Sequence, residues 1–217
     1  MTNPKILLEP GNFYHIYNHG VGGRNLFIHT DNYEYFLNLY DKYITPIAET
    51  YAWVLMKNHF HLLVRIKEEA DIVAEARPTT QPTTPDRVFN PVRGYVNNKS
   101  GFLSLQFSKL FNSYAQAFNK RDRNHGALFE RPFNRKLIDN ELYLKQVILY
   151  IHNNPVHHGF CEQAMDYPWS SYLTCVSIKP TKLFREAVIG WFDNLANFKY
   201  MNNQKIEIEK IESWLEI

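Results

Sequence analysis

Cysteine is scarce in this chain. Cys161 and Cys175 form neither a CxxC pair nor a framework of bridges, which excludes a disulfide scaffold and leaves two reduced packing residues, as expected of a cytoplasmic protein. Long apolar runs are missing too. Nothing approaches the ~20 residues of a membrane-spanning helix, and the opening MTNPKILLEP lacks the apolar stretch of a signal peptide. Nor does one sign of charge dominate, since 24 Lys and Arg face 22 Asp and Glu. That balance excludes a uniformly cationic surface.

The distribution of charge says more than its sum. Between Lys109 and Lys136 stand Lys109, Lys120, Arg121, Arg123, Arg131, Arg135 and Lys136 against Asp122 and Glu130, whereas from Glu186 onward acids outnumber lysines. A basic middle before an acidic tail points to a local polyanion site. Aromatics make up 15 % of the chain, enough both to pack a core and to offer stacking surfaces for bases. At 217 residues the length suits one main domain with an extension, and no internal repeat is present.

Periodicity gives the order of elements. Phe13 to His19 (FYHIYNH) alternates as a strand and runs into the turn-forming VGGRN. Asp31 is placed to cap a helix carrying Tyr35, Phe36, Leu39 and Tyr43, stopping near Pro46. YAWVLM (51–56) and FHLLVRI (60–66) read as a hairpin closed at Lys57-Asn58. Residues 69–100 carry four prolines and several threonines, and predict a long loop or insertion without regular structure. A helix from Phe102 to Lys120, a strand from Phe133 to Ile138, and a helix capped by Asp139 and blocked at Pro155 follow. The predicted class is therefore α+β, an antiparallel, ferredoxin-like sheet backed by helices on one face. From about Asp166 an appendage with amphipathic pieces at 182–199 and 205–217 is expected.

The chemistry concentrates in two places. His59 and His61, in MKNHFHLLVRI, share one face of a strand about 7 Å apart, while Phe60 points into the opposite layer. Two neutral imidazoles so placed can hold a divalent ion, although a His-x-His pair alone is more often incidental. On the later helix, Tyr150 and Asn154 are four residues apart and so share a face. Asn154 could complete a His-His-Asn set suited to Mg or Mn, with Tyr150 beside a phosphate. Taken singly, a helical tyrosine usually packs and an Asn before Pro usually ends a helix; the conjunction is what carries weight.

NHFHLLV, HGALFERPFNRKL, YIHNNPVHHG and DYPWSSY, in this order and spacing, resemble the REP-associated tyrosine transposases, a branch of the single-tyrosine HUH transposases, from about Tyr14 to Tyr172. The resemblance implies that His59, His61 and Asn154 bind a divalent metal ion (Mg or Mn), and that Tyr150 is the nucleophile that cuts and rejoins single-stranded or hairpin DNA. It implies a catalytic domain over 1–165 and a helical extension over 166–217. Arg131, Arg135 and Lys136 are expected to contact phosphates, with the protein a monomer or homodimer. Two departures stand out: the insertion at 69–100, and His157 followed by His158 where the family usually shows an arginine after Asn-Pro-Val.

Alternatives remain open. Tyr114 is a rival nucleophile, but Phe118 stands at its fourth following position. His15, His19, His125 and His152 are expected to be structural or DNA-adjacent rather than ligands. A relative that binds a DNA hairpin without cutting it, and a hydrolase that uses water in place of Tyr150, are the competing functions.

Overall fold

Four strands form where apolar and polar residues alternate. β1 (Phe13–His19), β2 (Ala48–Leu55), β3 (His59–Ile66) and β4 (Asn134–Ile138) make one antiparallel sheet in the order β2-β3-β1-β4. The computed structural model describes residues 6–75, 99–204 and 206–215. In it α1 (Thr30–Tyr43) joins β1 to β2, while a short α2 (Glu69–Glu75) and the long α3 (Lys99–Arg121) precede β4. This is the ferredoxin-like α+β plan that the sequence predicts.

Helices cover both faces, not one. Tyr14, Ile16, Phe60, Leu62 and Val64 point toward α1 and α3 and join Phe36, Leu103, Phe107 and Tyr114 in one buried cluster. On the other face Val54, Met56 and Leu63 pack with α4 (Glu141–His157) and with the C-terminal helices α5 (Tyr172–Val176), α6 (Arg185–Trp191), α7 (Leu195–Asn202) and α8 (Ile208–Leu215). The free edge of β2 is covered as well, because Leu55 N donates to Trp169 O and Trp53 N to Ser171 Oγ.

Local signals were displaced in instructive ways. His29, not Asp31, precedes α1, and Asn32 Oδ1 accepts from Ile28 N and His29 N at 3.0 Å each. Inside the stretch expected to lack regular structure, EADIVAE is helical because it has no Gly or Pro, places Glu69 and Asp71 in its first turn, and buries Ile72. Lys99 and Ser100 already belong to α3, and residues 76–98 lie outside the described residues. The expected piece at 182–199 splits into α6 and α7 at Asp193, whose φ is 68°.

Two further shifts matter for the site. Asn140, not Asp139, caps α4, its Oδ1 accepting from Tyr143 N at 2.9 Å. Pro155 does not stop that helix, which runs on to His157. Proline removes the bond that Ile151 O would have accepted and crowds that carbonyl, yet only a few residues remain before the helix closes at Gly159, whose φ of 70° suits a residue without Cβ. Asn154 therefore stays helical, one turn beyond Tyr150.

Candidate active site and metal centre

Register brings the polar face together. Antiparallel pairing sets Tyr17 opposite His61 and His19 opposite His59. The same alternation that buries Phe60 and Leu62 in the apolar layer turns His15, Tyr17, His19, His59 and His61 toward α4. A cavity of about 630 Å³ opens there, lined by Tyr17, His19, His59, His61, Tyr150 and His158 among others.

The four residues singled out on sequence meet closely. His59 Nε2 lies 2.9 Å from Asn154 Oδ1, and the rings of His59 and His61 are 5.2 Å apart. Tyr150 packs edge-on against His61 with centroids 5.1 Å apart. Its side chain is only 2 % exposed. Burial raises the phenol pKa, and the carboxylate of Glu212 on α8 raises it further. The phenol is thus protonated at neutral pH and must lose its proton as it attacks.

Burial keeps the imidazoles neutral. It pulls His59 down to about 4 against the opposing effect of Asn154, and it holds His61 well below the usual histidine value, with His15 adding to the effect. Neutral imidazole is the form that binds metal. It carries one N–H, yet His59 faces an oxygen on both sides, Asn58 Oδ1 at 2.9 Å from Nδ1 and Asn154 Oδ1 at 2.9 Å from Nε2. With the amides oriented so, one of those contacts sets two lone pairs against each other. A cation between Nε2 and Oδ1 removes that conflict, as does turning one amide over. Asn154 Nδ2 is buried without a hydrogen-bond partner, while its Oδ1 faces His59. Among the described residues no group of three His, Cys, Asp or Glu could hold an ion; with the Asn154 oxygen beside His59 and His61, the residues present fit a divalent ion.

His61 has its own support. Its Nδ1 lies 3.0 Å from His15 Nε2. If His61 donates from Nδ1, its Nε2 lone pair is free for an ion, which is the usual arrangement behind a metal-binding histidine. His15 and Glu212 were not singled out as working residues by sequence. The alternation of FYHIYNH on the strand beside His61 does carry a signal for His15, whereas nothing local marks Glu212.

The remaining expectations scatter. Arg131 is exposed and bonds Asn112 Oδ1 at 3.2 Å. Arg135, 9 % exposed, turns into the apolar layer instead, bonding Ser104 Oγ at 2.8 Å and lying over Phe133. Lys136 lies on the α4 side, its ammonium over the Trp214 ring. The rival Tyr114 is buried in the opposite layer, donating to Leu26 O. His152 is structural, held between Asn202 Oδ1 and Ser171 Oγ. His125 is exposed, and His19 and His158 line the cavity.

Comparison with known proteins gives the same direction. No family model matches the chain. Over 126 residues, 57 % of its length, it is 26 % identical to a Haemophilus influenzae protein named as a REP-associated tyrosine transposase. The match spans 58 % of that relative, little more than half its length. The solved structure of a REP-associated tyrosine transposase bound to a REP hairpin superposes with a TM-score of 0.58 at 14 % identity, covering 96 % of this chain and 93 % of that one. The chain is similar to the REP-associated tyrosine transposases. The likeness to that transposase fold extends through the C-terminal helices, beyond the four motifs that first suggested it.

Proposed function

We propose that the protein is a metal-dependent single-stranded DNA endonuclease and strand transferase, working through a 5′-phosphotyrosine at Tyr150 on hairpin or repeat DNA. The observation that carries this reading is the meeting of Tyr150, His59 and His61 in one cavity, with Asn154 Oδ1 directly behind His59. The two free thiols accord with a cytoplasmic setting. Among the described residues no helix is long and apolar enough to cross a membrane.

The chemistry follows from the parts. Tyr150 Oη attacks a phosphodiester, the P–O3′ bond breaks, and the phenolic proton is delivered to the departing 3′ oxygen. Phosphorus is left joined to tyrosine and to the 5′ oxygen of the downstream strand, and the upstream strand leaves with a free 3′-hydroxyl. A divalent ion held by His59, His61 and Asn154 would polarise the phosphate and offset charge on the departing oxygen. His15 keeps His61 oriented, and the fixed end of α4 holds Tyr150 and Asn154 in register. Because the phosphodiester energy is retained in the tyrosine linkage, another 3′-hydroxyl can reverse the step and join new ends.

The test is incubation of a hairpin oligonucleotide with the protein and Mn, followed by a search for a DNA adduct that survives SDS. Wild type should form it, Tyr150→Phe should bind the DNA without forming it, and a chelator should suppress it. A non-cleaving hairpin-binding role is the second reading, favoured by the burial of Tyr150 beside Glu212. It wins if wild type binds but gives no adduct. Cleavage that survives Tyr150→Phe would instead point to a water nucleophile.

A further inference from the structure

Large apolar side chains are exposed at several points on the described surface, and one of them, Phe160, lines the cavity that holds Tyr150. Phe160 follows the end of α4. His158 N donates to Asn154 O at 3.0 Å, Gly159 N to Val156 O at 3.0 Å and Phe160 N to Pro155 O at 2.9 Å. This pattern closes a helix, and it commonly brings the apolar residue after the glycine back onto the last turn. Here that residue stays 50 % exposed. Its ring meets Tyr167 edge-on with centroids 6.3 Å apart, and Tyr167 is itself buried and fixed by its hydroxyl, which donates to Leu55 O at 2.8 Å. The backbone of Phe160 is therefore held by α4 and its ring rests on a fixed neighbour, while half of the side chain is open.

The rest of the lining says what such a ring can do. Among the described residues no lysine or arginine lines this cavity, and Glu212, which does, repels phosphate. An ion at His59 and His61 can draw in the phosphate that Tyr150 attacks. A flanking nucleotide, in contrast, finds no cationic side chain in the lining for its own phosphate. What it can offer is its base, whose face stacks on an aromatic ring whatever the sequence. At about 630 Å³ the cavity is of the size that holds a small ligand, a nucleotide included.

We propose that Phe160 is a positioning residue, the platform on which one base flanking the scissile phosphate stacks, so that this phosphate is held against Tyr150. Stacking is indifferent to base identity, so the platform places the strand without choosing its sequence. The ring is what matters, not its apolarity. Leucine at this position keeps an apolar contact with Tyr167 but gives a base no flat face to lie on, whereas tryptophan keeps both.

This inference rests on the reading of the protein as one that cuts single-stranded DNA, so the two are tested separately. Binding of a labelled hairpin with single-stranded flanks is measured by fluorescence anisotropy in the Tyr150→Phe background, with an abasic site moved through each unpaired position. One position should weaken binding about tenfold, as expected for a base stacked on an aromatic ring, while exchanging one base for another there should change little. Adding Phe160→Leu should weaken the intact oligonucleotide by a similar factor and abolish the abasic effect at that position alone, and Phe160→Trp should restore both. Mapping the adduct formed by the wild type should put that position beside the phosphate that is cut. If the adduct forms but no position depends on the ring, or the dependent position is remote from the cut, the platform fails alone. If wild type forms no adduct, the cutting reading fails and the platform at a scissile phosphate falls with it.

Discussion

The two faces of the sheet are made from the same strands and have opposite characters. Phe60, Leu62 and Val64 of β3 sit in an apolar layer with the aromatic side chains of α1 and α3. One residue out of step, His59 and His61 look into a polar cavity beside Tyr150 and Asn154. The comparison separates two tasks. The apolar face fixes strand register, and register places imidazoles against the end of α4. Because the side-chain period of a strand is two, a slip of one residue would exchange the faces and destroy both the core and the site.

The largest expected effect therefore lies on the face that does no chemistry. Phe60 is fully buried among Phe36, Phe111 and Phe129, and Phe60→Ala should cost about 3–5 kcal/mol in folding free energy. His61→Ala, one residue away, should cost far less in stability yet eliminate ion binding and the DNA adduct. Urea titrations of both variants, with and without Mn, would break the comparison if the two losses were alike.

A smaller and graded effect concerns acid. His15 is held down to about 3, His59 and His152 to about 4, each chiefly by burial, so all are neutral in the folded protein. In the unfolded chain they titrate near 6.5. The unfolded state therefore binds more protons as pH falls from about 6.5 toward 4, and stability should be level above that window and decline through it. Thermal melts in chelator across this range check the sign. A melting temperature that rose on acidification would mean that these rings are charged in the fold.

The contrast between the faces also explains how much was legible in sequence. Alternation in FYHIYNH and HFHLLVRI marks strands with two different sides, and the four-residue spacing of Tyr150 and Asn154 marks a shared helix face. Those are local facts. The covering of the second face by α4 and the C-terminal helices was not legible, because packing of Val54, Leu63 and Phe198 depends on partners distant in the chain. Arg135 shows the same limit: its charge was legible, but only the strand's pairing shows that it lies over Phe133, on the face away from Tyr150. Pro155 read as a stop because a helix interior cannot tolerate it, whereas the last turn can.

His15 gives the finest test of the polar face, because its contribution is orientation and not bulk. A neutral His61 can place its proton on Nδ1 or Nε2. Only the first leaves Nε2 able to accept an ion, and that choice requires an acceptor at Nδ1, which His15 Nε2 supplies at 3.0 Å. The proton of His15 must then stand on its own Nδ1, which is buried and has no partner. His15→Phe keeps a ring of similar shape and removes both the acceptor and that unpaired group. Folding stability should change little, since a lost hydrogen bond is set against relief of a buried polar atom. Metal affinity should fall 10- to 100-fold, the usual cost of losing such a supporting group. Isothermal titration with Mn beside a thermal melt reads the two quantities independently. Equal Mn affinity in wild type and His15→Phe would mean that the pocket walls alone orient His61, and the polar face would then owe its geometry to packing as fully as the apolar one does.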